Sequence, residues 1–498
     1  MRLLIGSLLA AALSGPAAFG QKDATPATAP PPAPVIRQHE ITLNGKSLKY
    51  TTTTGLMPLK SATGEVEASI FYIAYTLNGV ADPAKRRLTF SFNGGPGSAS
   101  VWLHLGALGP KRIRMNDDGS MPAPPYRMEV NPGTWLDETD LVFIDPVGTG
   151  YSRAAKPDLG KKFFGLLGDL DSVGEFIRLY LGKSNRWMSP LFVAGESYGT
   201  TRAAGLAGTL ANKGIALNGV LLISTILNFQ TVQFAPGNDL PYALYLPSYT
   251  ATAWYHKKLP ADLQKDLKSA LRESEKYATG PYSQALMKGD ALTPAERAAA
   301  VKEVARLTGL SPQYVDQSDL RIEIMHFIRE LLRGDNQLAG RLDSRLKGDG
   351  LRASTETAEY DPSMTAIRPP YTAAFNWYVR SELGYENDAE YYILGGGIGR
   401  WDWGSDNRYA NVSGLLRQGF VQNPSMKLYL GAGYYDLATP YFAAWYTMDH
   451  LGLAPELRKN IRRHEYEAGH MYYIQVESLK AMKRDVDSFL QWAAPTTP

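Results

Sequence analysis

The chain contains no cysteine. Disulfides and thiolate chemistry are therefore excluded, and a metal site would have to be built from histidine and carboxylates. Histidine is scarce too, with seven in 498 residues, so few imidazoles compete for the role of a catalytic base. No sign of charge dominates: 52 Lys and Arg stand against 49 Asp and Glu, a formal net charge of +3. That balance gives no reason to expect nucleic acid or an anionic membrane as partner. The apolar run Leu3 to Leu13 is too short to cross a bilayer. What is present is an ordinary globular composition, 44% hydrophobic and 20% charged. It is long enough for one large domain with insertions or for two to three smaller ones.

The first twenty residues read as a targeting segment. Arg2 is a short basic start, Leu3 to Leu13 the apolar stretch, and Ala18-Phe19-Gly20 a small-x-small cleavage site before Gln21. This predicts a signal peptide over 1–20 and export to a bacterial periplasm or medium, with no membrane attachment after cleavage. Residues 21–36, rich in Ala, Pro and Thr, read as a stiff, disordered leader. An exported compartment permits disulfides, so a chain without cysteine must rely on its core.

From His39 the pattern is one of strands. Ile41 to Tyr50 reads as a hairpin about an Asn44-Gly45 turn, and Val66 to Leu77 as a long strand. Short apolar runs follow at Leu88–Phe92, Leu141–Asp145, Leu191–Ala194, Gly219–Ser224 and Met426–Gly433, with a last strand over about Asn460 to Tyr466. Helical spacing fills Leu166 to Leu181, Pro440 to Leu451 and Gln475 to Trp492. Apolar strands separated by helices predict a mostly parallel sheet covered on both faces. Functional loops in such sheets lie at the carboxyl ends of the strands. Between Phe234 and Leu394 the chain turns charged and helical, with helices predicted over Ala261–Tyr277, Pro294–Thr308, Leu320–Leu346 and Phe375–Leu383 and no buried strand. Residues 234–394 therefore read as a helical cap inserted into a sheet domain made of 37–233 and 395–498. Leu394-Gly395-Gly396-Gly397-Ile398-Gly399 lacks the third glycine of a dinucleotide loop and reads as a mobile loop.

Leu191-Phe192-Val193-Ala194-Gly195-Glu196-Ser197-Tyr198-Gly199 is an apolar run ending in Gly-x-Ser-x-Gly, followed by a helix of small residues. That is a nucleophile elbow, with Ser197 exposed on a strained strand-to-helix turn. Gly195 and Gly199 let strand and helix approach closely. A serine hydroxyl needs an imidazole to take its proton and a carboxylate to orient that imidazole. His470 is selected because it lies in a glycine-containing loop directly after the last strand. Asp436 is selected because it follows the strand ending at Gly433. The order Ser197, Asp436, His470 is that of the α/β-hydrolase fold. An oxyanion needs two converging backbone N–H groups, one from Tyr198 and one from the Asn93-Gly94-Gly95-Pro96-Gly97 loop. His464 and His470 are six residues apart, not the four that would place both on one helix face, so no zinc site is expected. The reading calls for no cofactor or metal.

These segments together resemble the serine carboxypeptidase family. The matching stretches are Asn93-Gly94-Gly95-Pro96-Gly97-Ser98, Asp145-Pro146-Val147-Gly148-Thr149-Gly150-Tyr151-Ser152, Gly195-Glu196-Ser197-Tyr198-Gly199 and Ala468-Gly469-His470-Met471. The resemblance implies a hydrolase that removes residues from peptide C-termini, often at acidic pH, with a peptide as its partner. It implies that Gly95 and Tyr198 hold the oxyanion and that Asn93, Gly94 and Glu196 bind the substrate's terminal carboxylate. A glutamate can donate to a carboxylate only when protonated, so Glu196 is expected to have a raised pKa. The family's second carboxylate-binding glutamate falls on Ala107, its Trp before the Asn on Ser91, and its Cys on Ser98. Lys111, Arg112 and Arg114 follow, and read as a solvated basic turn. With Ala107 in place of the glutamate, an esterase or acyltransferase on the same machinery is the alternative, and a non-catalytic binding protein a further one.

Overall fold

The computed structural model describes residues 32–495; the predicted signal peptide lies outside them, as does the leader through residue 31. The first strands are β1 (Val35–Leu43), β2 (Lys46–Lys60), β3 (Val66–Leu77), β4 (Arg87–Phe92), β5 (Lys111–Ile113), β6 (Met128–Val130) and β7 (Thr139–Ile144). After them come β8 (Arg153–Ala154), β9 (Leu191–Ser197), β10 (Gly219–Thr225), β11 (Gln337–Ala339), β12 (Lys347–Asp349), β13 (Lys427–Gly433) and β14 (Ile461–Tyr466). β1 starts inside the stretch read as leader, because Val35 and Ile36 pair with Thr54 and Thr53 of β2. The turn between β1 and β2 has Asn44 and Gly45 both at positive φ, 50° and 78°, as an Asn-Gly hairpin requires.

The main sheet has the order β1-β2-β3-β7-β4-β9-β10-β13-β14, with β8 added to β3. β1, β2 and β3 run antiparallel at one side. From β7 to β14 every neighbour is parallel. β9 is thus central, flanked by β4 and β10, so the turn that follows it opens at the middle of the sheet's carboxyl edge. Successive side chains of a strand point to opposite faces, and the core divides accordingly. Val193, Val220, Leu222, Leu428 and Leu430 pack with the helices Leu166–Lys183, Tyr198–Asn212 and Ser413–Gln422. Phe192, Ala194, Leu221, Ile223 and Tyr429 pack with the helices Pro362–Ser381 and Val476–Ala493. Among the described residues, no helix is long and apolar enough to cross a membrane.

A third apolar cluster runs from Tyr242 to Ala358 and includes Leu437 of the sheet domain. This is the core of the inserted region. Residues 362–381, read above with the insertion, instead bury Ile367, Tyr371, Phe375, Tyr378 and Val379 against the sheet. Their helix is longer than the sequence indicates, since it continues through Pro369 and Pro370. Proline in a helix interior costs about 3 kcal/mol, and burial of those apolar side chains offsets it.

The predicted helix Leu320–Leu346 is wrong in its second half. Only Ile324–Glu330 is α-helical; Asn336 adopts a left-handed φ of 51°, and β11 and β12 form a small hairpin. The expectation of no buried strand fails with it, since Leu338 and Ala339 of β11 are fully buried. Short apolar runs do not distinguish a strand from a helix by spacing. The Leu394–Gly399 loop, read as mobile, is seated: Gly395 N–H donates to Gly97 O at 2.9 Å, and Gly397 packs against Gly148.

Candidate active site

The strand-to-helix turn after β9 places Ser197 at φ 60°, ψ −131°. This is a region L-residues rarely occupy, and it costs on the order of 1–3 kcal/mol. The glycines around it are required by contact. A Cβ on Gly195 would lie 2.0 Å from Gly199 O, one on Gly199 2.8 Å from Phe92 O, and one on Gly94 2.3 Å from Tyr198 N. The loop after β4 can therefore lie on the elbow only because Gly94 has no side chain. Arg202 locks the two together. Its Nε donates to Asp169 at 2.9 Å and its Nη1 to Asn93 O at 2.7 Å, with all three residues buried. Tyr198 also donates from its hydroxyl to Asp169, at 3.2 Å.

Asp436, fully buried, follows β13 and is saturated with donors. Its Oδ1 accepts from Ala438 N (2.7 Å) and Thr439 N (2.9 Å), and its Oδ2 from Thr439 Oγ1 (2.8 Å). The same Oδ2 meets His470 Nδ1 at 2.7 Å. That bond leaves His470 Nε2 as the free imidazole nitrogen. Burial disfavours the His470 cation, but the Asp436 carboxylate, its hydrogen bond and Glu196 outweigh it, and the pKa is raised. The inserted region holds this loop from outside. His470 N donates to Leu342 O (2.6 Å), Leu437 N to Arg341 O (3.1 Å) and Ser344 N to Tyr435 O (3.0 Å). Gly469 is needed here, because a Cβ would sit 2.5 Å from Asp343.

Ser197, His470, Asn93, Gly94, Gly95 and Glu196 line one cavity of about 140 Å³. Tyr198 is not among the lining residues; it opens the following helix, where a backbone N–H has no intrahelical acceptor. Glu196 is buried; burial raises its pKa to about 7, against the lowering influence of His470 and a hydrogen bond from Tyr473. Tyr473 Oη donates to Glu196 Oε2, while Glu196 Oε1 lies 4.0 Å from His470 Nε2. Asn93 Oδ1 accepts from Leu103 N at 3.0 Å, which turns its NH2 group the other way. That NH2 is buried with no hydrogen bond of full geometry among the described residues, although it is close enough to Glu196 to favour the ionised carboxyl.

The position that the resemblance gives to a second glutamate, Ala107, is fully buried, and Tyr473 is the partner Glu196 has instead. Of the basic residues after it, Arg114 is exposed as read, whereas Lys111 and Arg112 are not simply solvated. Lys111 pairs with Glu382 at 2.6 Å, and buried Arg112 pairs with Glu129 at 3.2 Å and donates to Ile474 O. Of the other histidines, His104 is buried beside Tyr75 at 2.6 Å, and burial lowers its pKa to about 3. His464 lies 3.2 Å from Asp485. Sequence reasoning missed Tyr473, Thr439, Arg202 and Arg341, none of which stands in a recognisable motif. A larger hollow, about 520 Å³ between Lys111, Glu129 and Trp377, holds an ion pair and no nucleophile.

A central parallel sheet with a strained serine after its middle strand, and Asp and His after the two strands beyond, defines an α/β-hydrolase. A sequence model of the family described as serine carboxypeptidase matches residues 44–484, and the chain belongs to that family. Relatives include the pheromone-processing carboxypeptidase KEX1 of Saccharomyces cerevisiae, 35% identical over 112 residues, which is 22% of this chain and 14% of that protein. The protein of the same name from Komagataella phaffii is 34% identical over 104 residues, 20% of this chain and 15% of that protein. The chain thus spans about one seventh of the length of the curated relatives it matches. The crystal structure of KEX1(delta)P from Saccharomyces cerevisiae, described as a prohormone-processing carboxypeptidase, superposes with a TM-score of 0.52 at 18% identity. The superposition covers 88% of this chain and 91% of that one.

Proposed function

We propose that this chain is a serine-type carboxypeptidase, releasing the last residue of a peptide through an acyl-enzyme. Ser197 Oγ attacks the carbonyl of the terminal peptide bond while His470 Nε2 takes its proton. Asp436 holds His470 in the tautomer that leaves Nε2 free and stabilises the imidazolium that forms. The N–H groups of Gly95 and Tyr198 receive the developing oxyanion. His470 returns the proton to the departing amine, and water then cleaves the ester by the same route. The terminal carboxylate is bound by Asn93 Nδ2, Gly94 N–H and the protonated Glu196.

The observation that carries this reading is the pairing of functions in one cavity. The Asp436–His470 bond at 2.7 Å lies beside a buried amide donor and a carboxyl whose pKa is raised to about 7, which suits a negatively charged chain end. A carboxypeptidase should cleave a blocked dipeptide with a free C-terminus and leave its C-terminal amide intact. Equal turnover of the amide and the methyl ester would instead point to an esterase or acyltransferase, and no labelling of Ser197 by a fluorophosphonate to a binding protein. We further propose export from a bacterial cell, supported by Arg2, the Leu3–Leu13 run and Ala18-Phe19-Gly20. N-terminal sequencing of the mature protein should begin at Gln21.

A further inference from the structure

Arg341 lines the same cavity as Ser197 and Glu196, but it comes from the inserted region rather than from the sheet. Of the arginines between positions 297 and 345, all but this one have a side-chain partner. Arg297, Arg306, Arg321, Arg333 and Arg345 are ion-paired, and Arg329 donates to backbone carbonyls. Arg341 has no side-chain hydrogen bond or ion pair among the described residues, although it is only half-buried and its charge reaches His470. The nearby carboxylate of Asp436 does not take it, because both its oxygens are already occupied by Ala438, Thr439 and His470. Its backbone is fixed all the same. Arg341 N donates to Asp361 Oδ1 at 2.9 Å, and Arg341 O accepts from Leu437 N at 3.1 Å, so the residue is tied directly to the Asp436 loop.

A half-buried guanidinium lining a mainly apolar cavity, with no anion among the described residues, is arranged to meet an anion brought by the ligand. The walls beside it are Leu342, Met364, Ile367 and Met471, which would pack the methylene groups of a side chain. Asn93 and Glu196, the proposed holders of the terminal carboxylate, belong to the sheet domain, whereas Arg341 belongs to the inserted region, and its neighbour Leu342 accepts from His470 N. We propose that Arg341 is a specificity-determining residue that pairs with the side-chain carboxylate of the departing residue, so that the enzyme prefers peptides ending in Glu or Asp. This rests on the carboxypeptidase reading above.

The test is the ratio of kcat/KM for blocked dipeptides ending in Glu, in Gln and in Lys. The wild type should favour Glu over Gln by at least about tenfold, the scale of one charge-assisted hydrogen bond. In Arg341→Met that ratio should fall to near one, and Arg341→Glu should prefer Lys to Glu, a gain that misfolding cannot imitate. An unchanged Glu-to-Gln ratio in an active Arg341→Met enzyme would overturn the inference and leave the carboxypeptidase reading intact. An equal loss on both substrates, as a contact to the terminal carboxylate would give, also leaves the ratio unchanged and overturns it. A wild type inactive on every free-carboxyl peptide but active on esters would overturn both.

Discussion

Replacing Glu196 by Gln isolates the most unusual group in the cavity. The side chain keeps its shape and its carbonyl still accepts from Tyr473 Oη, but it can no longer ionise. The wild-type carboxyl is raised from 4.5 to about 7, with burial as the largest cause. Between those pH values the folded state holds a proton that the unfolded chain has released. Stability therefore falls as pH rises through this window. At about 1.4 kcal/mol per pKa unit, the loss is about 3 kcal/mol and is complete above pH 7. Glu196→Gln escapes it. Urea unfolding followed by tryptophan fluorescence should show the difference in stability moving by about 3 kcal/mol in favour of the variant between pH 4.5 and 8. Activity should change in parallel. In the wild type, kcat/KM should fall by at least about tenfold as pH rises through 7, where two carboxylates would face each other and one charge-assisted hydrogen bond is lost. The variant should lack that alkaline limb, because the amide stays neutral at every pH. A stability difference that does not vary with pH, together with an unshifted alkaline limb, would refute the argument that burial keeps Glu196 protonated.

Other substitutions test the remaining parts. Ser197→Ala should abolish fluorophosphonate labelling and hydrolysis with an unaltered circular dichroism spectrum, and surviving turnover would remove Ser197 as nucleophile. Asp436→Asn should lower kcat by about 10⁴ with little change in KM, because the amide favours the wrong tautomer of His470; a loss confined to KM would contradict an orienting role. Arg202→Met strands the buried Asp169 carboxylate and should destabilise the fold by about 3–5 kcal/mol, read from denaturant midpoints. Gly195→Ala drives a Cβ to 2.0 Å from Gly199 O and should cost about 3 kcal/mol or more; a stable, active variant would mean that the elbow relaxes easily.

Some of this was legible without coordinates because it is local. The elbow, the Asn44-Gly45 hairpin and the β9–helix sequence depend on φ angles and side-chain size within a few residues, and those requirements are written directly in Gly, Asn and apolar spacing. The order Ser197, Asp436, His470 follows from placing loops after strands, which needs only the period of each run. The helix through Pro369 and Pro370 was not legible, because tertiary burial overrides a local penalty there. The β11–β12 hairpin was missed because apolar spacing over so few residues fits helix and strand alike.

The partners that tune the site come from distant parts of the chain. Tyr473 reaches Glu196 across 277 positions, and Arg341 enters from an insertion whose sequence carries no motif. Which carboxyl is buried, which amide lacks an acceptor and which arginine lacks an anion are sums over neighbours brought together only by folding. The sequence by itself determined the strained serine turn and the order of the loops around it, because φ requirements and apolar spacing are local. The tertiary structure alone decided what surrounds Glu196 and that a cation faces the cavity, because desolvation and charge pairing depend on contacts no linear spacing encodes.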